Sequence, residues 1–359
     1  GYMGIFKKEK RFSADARSGE LWTQSRIMMC LLSYYEYTGE YRVVEALERL
    51  IDLIVRQYGP LAGGRSLYEV PDEDGSKAHS LMVIEPILAV YDMVKKQEYL
   101  DFCEFLYEDY SRHAVNAVFP CYDLSRNQVL DPDAPFVGHG PHTCEQLRIP
   151  LLLFDRTGSQ KYYRIYRNAF EKLKEYLCLS GSCKSDELIG VNQEWLRDGE
   201  TPGADGVGAH GNDAHGNDAH GNDAHGNDAH RNDAHGSGTH GALRLGQCYP
   251  IPEIGYEYCS TTELMFSFTA ALRSTMDMGY ADYEEWLVMN AAMAARRQDG
   301  KAILYLCADN LYEATKAVGD RWDYSPTHMD AAVCCAPNSC KIMPFHLQNM
   351  WLEEEEGLY

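Results

Sequence analysis

The segment "LLSYYEYTGEYRVVEALERLIDLI" (residues 31–54) reads as two amphipathic helices joined by a Thr-Gly turn. Apolar side chains recur every three or four positions on both sides of the turn. Gly39 suits the left-handed residue that closes a helix. The pattern returns in "ILAVYDMVKKQEYLDFCEFLYEDY" (87–110), "LLLFDRTGSQKYYRIYRNAFEKLKEYL" (151–177) and "ALRSTMDMGYADYEEWLVMNAAMAA" (271–295). The first three turns, at Gly39, Gln97 and Gly158, lie roughly 60 residues apart, and the fourth, at Gly279, about twice as far along. A fixed period of helix pairs builds an array of αα-hairpins. Long polar connections between the pairs favour closure of the array into an all-α toroid. In a closed toroid those connections converge on one face and form a pocket. Strand content is minor, and "KAILYLCADNLYEAT" from Lys301 is the best candidate.

Between the third and fourth pairs runs a different kind of sequence. "AHGND" repeats in tandem, and seven of the 13 histidines fall between His210 and His240. Gly, Asn and Asp at this density cannot bury a core. The chain is therefore expected to form a single domain over 1–359, interrupted by a disordered loop at 198–247. The loop is either a weak histidine-rich chelator or a neutral low-complexity expansion. Elsewhere the composition is ordinary, with 45% hydrophobic residues. A net charge of -21 argues against a nucleic-acid partner, whose phosphates it would repel. No apolar run is long enough to suggest a membrane span, and no leader-like segment opens the chain, which points to a cytoplasmic protein. The "EEEEGLY" end reads as a solvated tail.

Twelve cysteines are many for 359 residues, yet they lack the dense framework of a small secreted domain. Cys30 and Cys103 sit in apolar helical stretches and read as small buried hydrophobes. Two fragments differ. "GYEYCSTTELMFSF" (255–268) carries Glu257 and Cys259, and "AAVCCAPN" (331–338) carries Cys334 and Cys335. Three thiols and a carboxylate make a four-ligand set for tetrahedral zinc. Glu257 and Cys259 can converge on one ion only where the backbone is extended or turning, and the Ser-Thr-Thr-Glu that follows resembles a helix start. The adjacent cysteines need a non-helical kink for the same reason, and Pro337 argues against helix there. Spacing alone leaves three readings open: buried structural cysteines, a zinc clamp, or a strained vicinal disulfide.

These motifs, in this order, resemble the catalytic domain of glycoside hydrolase family 127, the β-L-arabinofuranosidase group. "GYMGIFKKEKRF" (1–12) and "ELWTQSRIMMCLLSYYEYTGE" (20–40) are similar to the entry and first hairpin of that domain. "GYEYCSTTELMF", "YADYEEWLVMNAAMAARRQDGKAILYL" and "CCAPN" are similar to its metal motif and the segments that follow. The resemblance covers most of the chain outside the histidine-rich run. It implies an (α/α)6 barrel, a bound Zn2+ and retaining hydrolysis of plant-type or glycoprotein glycans. By the same likeness Cys334 is the nucleophile and shares the ion with Glu257, Cys259 and Cys335. A nearby dication holds such a sulfur as thiolate. The acid/base corresponds to Glu187 in "LSGSCKSDELIG", with Asp186 beside it. Sugar contacts correspond to His79, His142, Glu285 and Tyr305, and His328 in "YSPTHMD" joins them by proximity to the cysteine pair.

The chain departs from the family pattern in two respects. Arg26 stands where the family has a sugar-binding histidine in the first helix, and an arginine prefers a carboxylate or a hydroxyl pair. Family members also carry β-sandwich segments around the barrel, which this chain is expected to lack. The substrate expected is an oligosaccharide or glycoside. The competing reading is a non-catalytic carbohydrate-binding or scaffold barrel with structural zinc. A third is metal storage by the histidine-rich loop.

Overall fold

The computed structural model describes residues 1–116, 120–185, 187–189, 255–309, 324, 334–351, 353–354 and 357–358. The histidine-rich run, Asp186 and His328 lie outside the described residues. Among the described residues, ten helices carry the architecture. Helix α1 (Glu20–Thr38) pairs with α2 (Arg42–Val55), and α3 (Ile84–Val94) with α4 (Gln97–His113). Helix α5 (Gly140–Gln146) leads directly into α6 (Arg148–Thr157), which pairs with α7 (Gln160–Leu173). Helix α8 (Tyr258–Thr275) pairs with α9 (Gly279–Trp286), and α10 (Cys335–Asn349) follows. The first members of the pairs pack side by side, α1 on α3, α3 on α6, α6 on α8 and α8 on α10, and the second members lie outside them. This is the all-α barrel of helical hairpins expected from the repeated pattern.

The helices sort into layers by how they are covered. Outer helix α2 buries Val44, Leu47, Leu50, Ile51, Ile54 and Val55, a single stripe at three- and four-residue spacing. Outer helix α7 does the same with Tyr162, Ile165, Tyr166, Ala169, Phe170 and Leu173. Inner helix α8 is buried nearly all round, polar residues included. Most of its buried hydroxyls are paired, as burial requires, and Ser260 Oγ is the exception. Ser267 donates to the Cys144 carbonyl at 2.6 Å, and Thr269 to that of Met265 at 3.0 Å.

The turns follow the expected chemistry at two of four places. Gly39 and Gly158 close α1 and α6 with φ of 67° and 63°. Lys95 and Met276 adopt the same left-handed conformation without the help of glycine. Gly279 is then the first residue of α9 rather than a cap. Pro337 does not prevent helix either. Helix α10 begins at Cys335, so Pro337 falls in the first turn, where a missing N–H removes no helical bond. Among the described residues of the expected strand, β2 (Leu306–Cys307) pairs antiparallel with β1 (Tyr256–Glu257). Within the acidic tail, Glu353–Glu354 pairs antiparallel with Gly357–Leu358. Cys30 is exposed, against expectation, because its position on α1 turns away from the core that Met28 and Leu32 enter, whereas Cys103 is buried. No described helix is long and apolar enough to cross a membrane.

Candidate active site

The thiol cluster stands at two helix starts. Strand β1 brings Glu257 to the N-cap of α8 in extended conformation, with φ of -79° and ψ of 140°, and Cys259 follows in the first turn. The Tyr258 amide donates to the Tyr305 carbonyl at 3.0 Å, which ties this entry to the strand opposite. Cys334 occupies the N-cap of α10 and Cys335 its first helical position. The four donor atoms all lie within 4.8 Å of one another. Cys259 Sγ is 3.2 Å from Cys335 Sγ, which is 3.9 Å from both Cys334 Sγ and Glu257 Oε1. Tetrahedral zinc with sulfur at about 2.3 Å separates its ligands by about 3.8 Å. The donor set suits a tetrahedral ion such as zinc, with Cys259 and Cys335 closer together than that separation, and three of the four donors are buried while Cys334 is exposed. Asn338, in the first turn of α10, donates its amide to Cys259 Sγ at 3.1 Å.

The three thiols do not share charge equally. Hydrogen bonds from Cys259 and Cys335 pull Cys334 well below the ordinary thiol range. The bonds Cys259 gives to its neighbours push it up, and burial does the same to Cys335. The lowering falls on the most open of the three sulfurs.

His139, which the sequence reading passed over, joins this cluster to Glu187. Its Nε2 lies 3.2 Å from Glu187 Oε2 and 3.4 Å from Glu257 Oε2. Its Nδ1 lies 2.6 Å from His142 Nδ1, and His142 Nε2 lies 2.9 Å from the Gly75 carbonyl. A carbonyl only accepts, so His142 Nε2 carries the proton of a neutral ring and its Nδ1 accepts from His139. His139 thus donates from both nitrogens as an imidazolium. Burial opposes that charge, but the bonds to Glu187 and Glu257 outweigh it and raise the His139 pKa to about 10. Burial, reinforced by the neighbouring histidines, holds His142 well below its ordinary range. Burial raises Glu257 to about 7, against the pull of His139. The Tyr305 hydroxyl donates to Glu187 Oε1 at 2.6 Å.

The backbone holds these groups tightly. The His139 segment pairs with Leu188, and the Gly140 amide donates to the Glu187 carbonyl at 2.8 Å. A Cβ on Gly140 would stand 1.9 Å from Ser185 Oγ, so only glycine permits this approach. Glu187 itself has φ of 64°, a costly conformation for a non-glycine residue. On the other side, buried Asp123 accepts the amides of Val137 and Gly138 and the Thr143 hydroxyl at 2.8 to 3.1 Å.

A third group flanks the histidines. Trp22 stacks on His79 with centroids 4.1 Å apart, and His79 stacks on His142 at 3.4 Å. His79 Nδ1 meets Glu145 Oε1 at 2.5 Å. Arg26 reaches Glu145 at 2.8 Å and Glu263 at 3.4 Å, and about a third of its side chain stays exposed. Arg148 holds the other oxygen of Glu263 at 3.1 Å. Burial opposes ionisation of Glu263, but Arg26 and Arg148 prevail and hold it at about 2. Glu145 is raised to about 8 by burial despite Arg26.

The structure brings together Glu187, Glu257, Cys259, Tyr305, Cys334 and Cys335, with His79 and His142 beyond them. Arg26 is engaged by two carboxylates. Glu285 is exposed on α9 and is not among the groups that meet at the thiols. The buried carboxylate of that helix is Glu284, which holds His346 of α10 at 3.0 Å. Trp22, Glu145 and Asn338 escaped the sequence reading along with His139. The histidine pair in "GHGPH" was the available signal, but a three-residue spacing does not say which ring faces the carboxylates.

No protein-family model matches the sequence, and no curated protein sequence matches it either. Solved structures do share its fold. One is a family 127 β-L-arabinofuranosidase from Geobacillus stearothermophilus T6, at a TM-score of 0.63 and 15% identity over 98% of this chain. A second β-arabinofuranosidase of family 127 aligns at a TM-score of 0.62 and 13% identity over 94% of the chain. A third, described as a glycoside hydrolase, aligns at 0.61 and 14% over 94%. The chain spans 48%, 42% and 48% of the length of these three proteins. At such identities the likeness establishes the fold.

Proposed function

We propose that the chain is a retaining glycoside hydrolase, similar to the β-L-arabinofuranosidases, with Cys334 as nucleophile and Glu187 as acid/base. The observation that carries this reading is the meeting of Glu257, Cys259, Cys334 and Cys335 within 4.8 Å, joined through His139 to Glu187. Cys334 is the exposed sulfur and the one that bears charge most readily, as a nucleophile must. A zinc ion held by Glu257, Cys259, Cys334 and Cys335 would, when bound, favour thiolate over thiol.

In the first half-reaction the Cys334 thiolate attacks the anomeric carbon. The bond to the departing oxygen breaks, and Glu187 gives that oxygen a proton. The product is a thioglycosyl-enzyme. In the second half, Glu187 takes a proton from water, the water oxygen attacks the same carbon, and the carbon–sulfur bond breaks to restore the thiolate. Two inversions give net retention. Tyr305 and the His139 imidazolium favour ionised Glu187, which suits its role as base in the second half. For the first half the proton would come to Glu187 from the His139 imidazolium, whose Nε2 lies 3.2 Å away and is far more acidic than the Tyr305 hydroxyl.

The test uses aryl glycosides of arabinofuranose and related sugars with wild type, Cys334→Ala and Glu187→Gln. Turnover that survives Cys334→Ala would sink the mechanism. One tightly held zinc per chain with no turnover on any sugar would favour the non-catalytic barrel with structural zinc.

A further inference from the structure

A cavity of about 360 Å³ lies between outer helices α7 and α9, at the end of α8 opposite the thiols. Its lining includes Thr275, the last residue of α8, whereas Cys259 is in the first turn of that helix. At 1.5 Å per residue the two are about 24 Å apart along the axis. No residue of the thiol and histidine groups touches this cavity.

Four tyrosines line it: Tyr163, Tyr166, Tyr280 and Tyr283. They are fixed in place by their own contacts. The hydroxyls of Tyr166 and Tyr280 are 2.9 Å apart, and Arg167 donates to the Tyr163 hydroxyl at 3.0 Å. Tyr283 is backed by Phe268, with centroids 5.4 Å apart and planes 20° from parallel. The charged side chains at the rim are Arg167, Lys174, Glu171 and Asp277, two of each sign.

We propose that this cleft is a second, non-catalytic binding site for a neutral sugar residue. Three features point to that ligand class. A sugar ring has apolar C–H faces that pack on aromatic rings, and preorganised rings lose little freedom on binding. Its hydroxyls need donors and acceptors together, which the tyrosine hydroxyls, Arg167, Lys174, Glu171 and Asp277 supply. The formal charges cancel, so an anion would meet two carboxylates and a cation would meet Arg167 and Lys174. The volume lies at the small end of ligand cavities, about 300–1,000 Å³. The site would hold a distant part of a glycan while another part occupies the catalytic pocket. That last role rests on the hydrolase reading; the binding itself does not.

The experiment uses the full chain and a linear arabino-oligosaccharide of six residues as probe. Hydrogen exchange is followed in peptides covering 160–174 and 275–283 with and without the probe. Affinity is measured by calorimetry for wild type, Arg167→Ala and the Tyr163→Ala/Tyr283→Ala double variant. Arg167 is exposed, so its variant folds even if the tyrosine variant does not. We expect protection of both peptides and about tenfold weaker binding in the variants, with unchanged turnover of a monosaccharide aryl glycoside. Absence of protection, or equal affinity in all three proteins, overturns the proposal. Protection without turnover on any substrate leaves this proposal standing and removes the hydrolase reading instead.

Discussion

Asp123→Asn should alter both the size and the pH dependence of stability. Burial raises the Asp123 carboxyl to about 6, against the pull of the Val137 amide, the Thr143 hydroxyl and the Gly138 amide. An unfolded Asp titrates near about 3.9, so the difference is about 2 units, or about 3 kcal/mol. A carboxyl whose folded pKa is raised contributes stability that is complete below the unfolded value. That contribution is lost as pH rises through the folded value. Asparagine cannot ionise, so the variant keeps whatever stability it has across the same range. The stability of the variant relative to wild type should therefore improve by about 2 kcal/mol between roughly pH 4.5 and 7. A constant loss lies beneath this trend. The variant's amide nitrogen must replace one carboxylate oxygen, leaving one buried N–H without an acceptor at about 1–3 kcal/mol. The check is urea unfolding of both proteins at five pH values across that range. A difference between them that stays flat within about 0.5 kcal/mol would refute the assignment of a raised pKa to Asp123. The activity consequence is separate. Asp123 anchors the turn that presents His139, so kcat should fall while zinc content stays at the wild-type value.

Further outcomes follow from individual contacts. Asn338→Ala removes the donor to Cys259 Sγ, and zinc affinity measured by chelator competition should weaken by about tenfold or more. Gly140→Ala sets a methyl 1.9 Å from Ser185 Oγ and 2.7 Å from Ser260 Oγ, so the Glu187 segment must shift. The expected loss is about 1–3 kcal/mol in thermal unfolding, with a larger proportional loss of turnover than of stability. Tyr305→Phe deletes the donor to Glu187 at 2.6 Å. It should lower the rate of glycosyl-enzyme hydrolysis by about tenfold or more in single-turnover kinetics, with the fold unchanged by circular dichroism.

The helical period was legible because each outer helix must bury a stripe, and a stripe is a pattern in one dimension. The hairpins at residues 31–54, 87–110, 151–177 and 271–295 all form. Caps were less legible: Lys95 and Met276 take a conformation that their residue types rarely adopt, because the packing of the flanking helices overrides local preference. Glu257 and the three thiols could be grouped from two short motifs, each at a helix start, but spacing left structural cysteines and a disulfide open, and only the family resemblance chose the metal reading. His139 could not be separated from His142 by the same means. Their roles depend on which ring nitrogen finds Gly75 and which finds Glu257, and those partners come from segments 60 to 120 positions away. Glu285 illustrates the converse. A helix turns 100° per residue, so the buried carboxylate is its neighbour Glu284.

The thiol site also shows why an all-α barrel can hold so much negative charge in one place. With a dication bound, three thiolates and a carboxylate would leave a formal charge near -2. Burying that charge uncompensated would be prohibitive. The first compensation is the His139 imidazolium, which faces Glu257 from 3.4 Å and brings the local sum to about -1. The second is the pair of helix starts. Cys259 sits in the first turn of α8, and Cys334 and Cys335 at the start of α10, so both helices direct their positive ends and free amides at the sulfurs. The third is the Asn338 amide on Cys259. Each of these lowers the cost of thiolate at the cluster, and none of them points specifically at Cys334. What distinguishes Cys334 is position: it precedes the helix that Cys335 enters and stays exposed while its two partners are buried. Of the three clustered sulfurs, this arrangement leaves only Cys334 open to solvent.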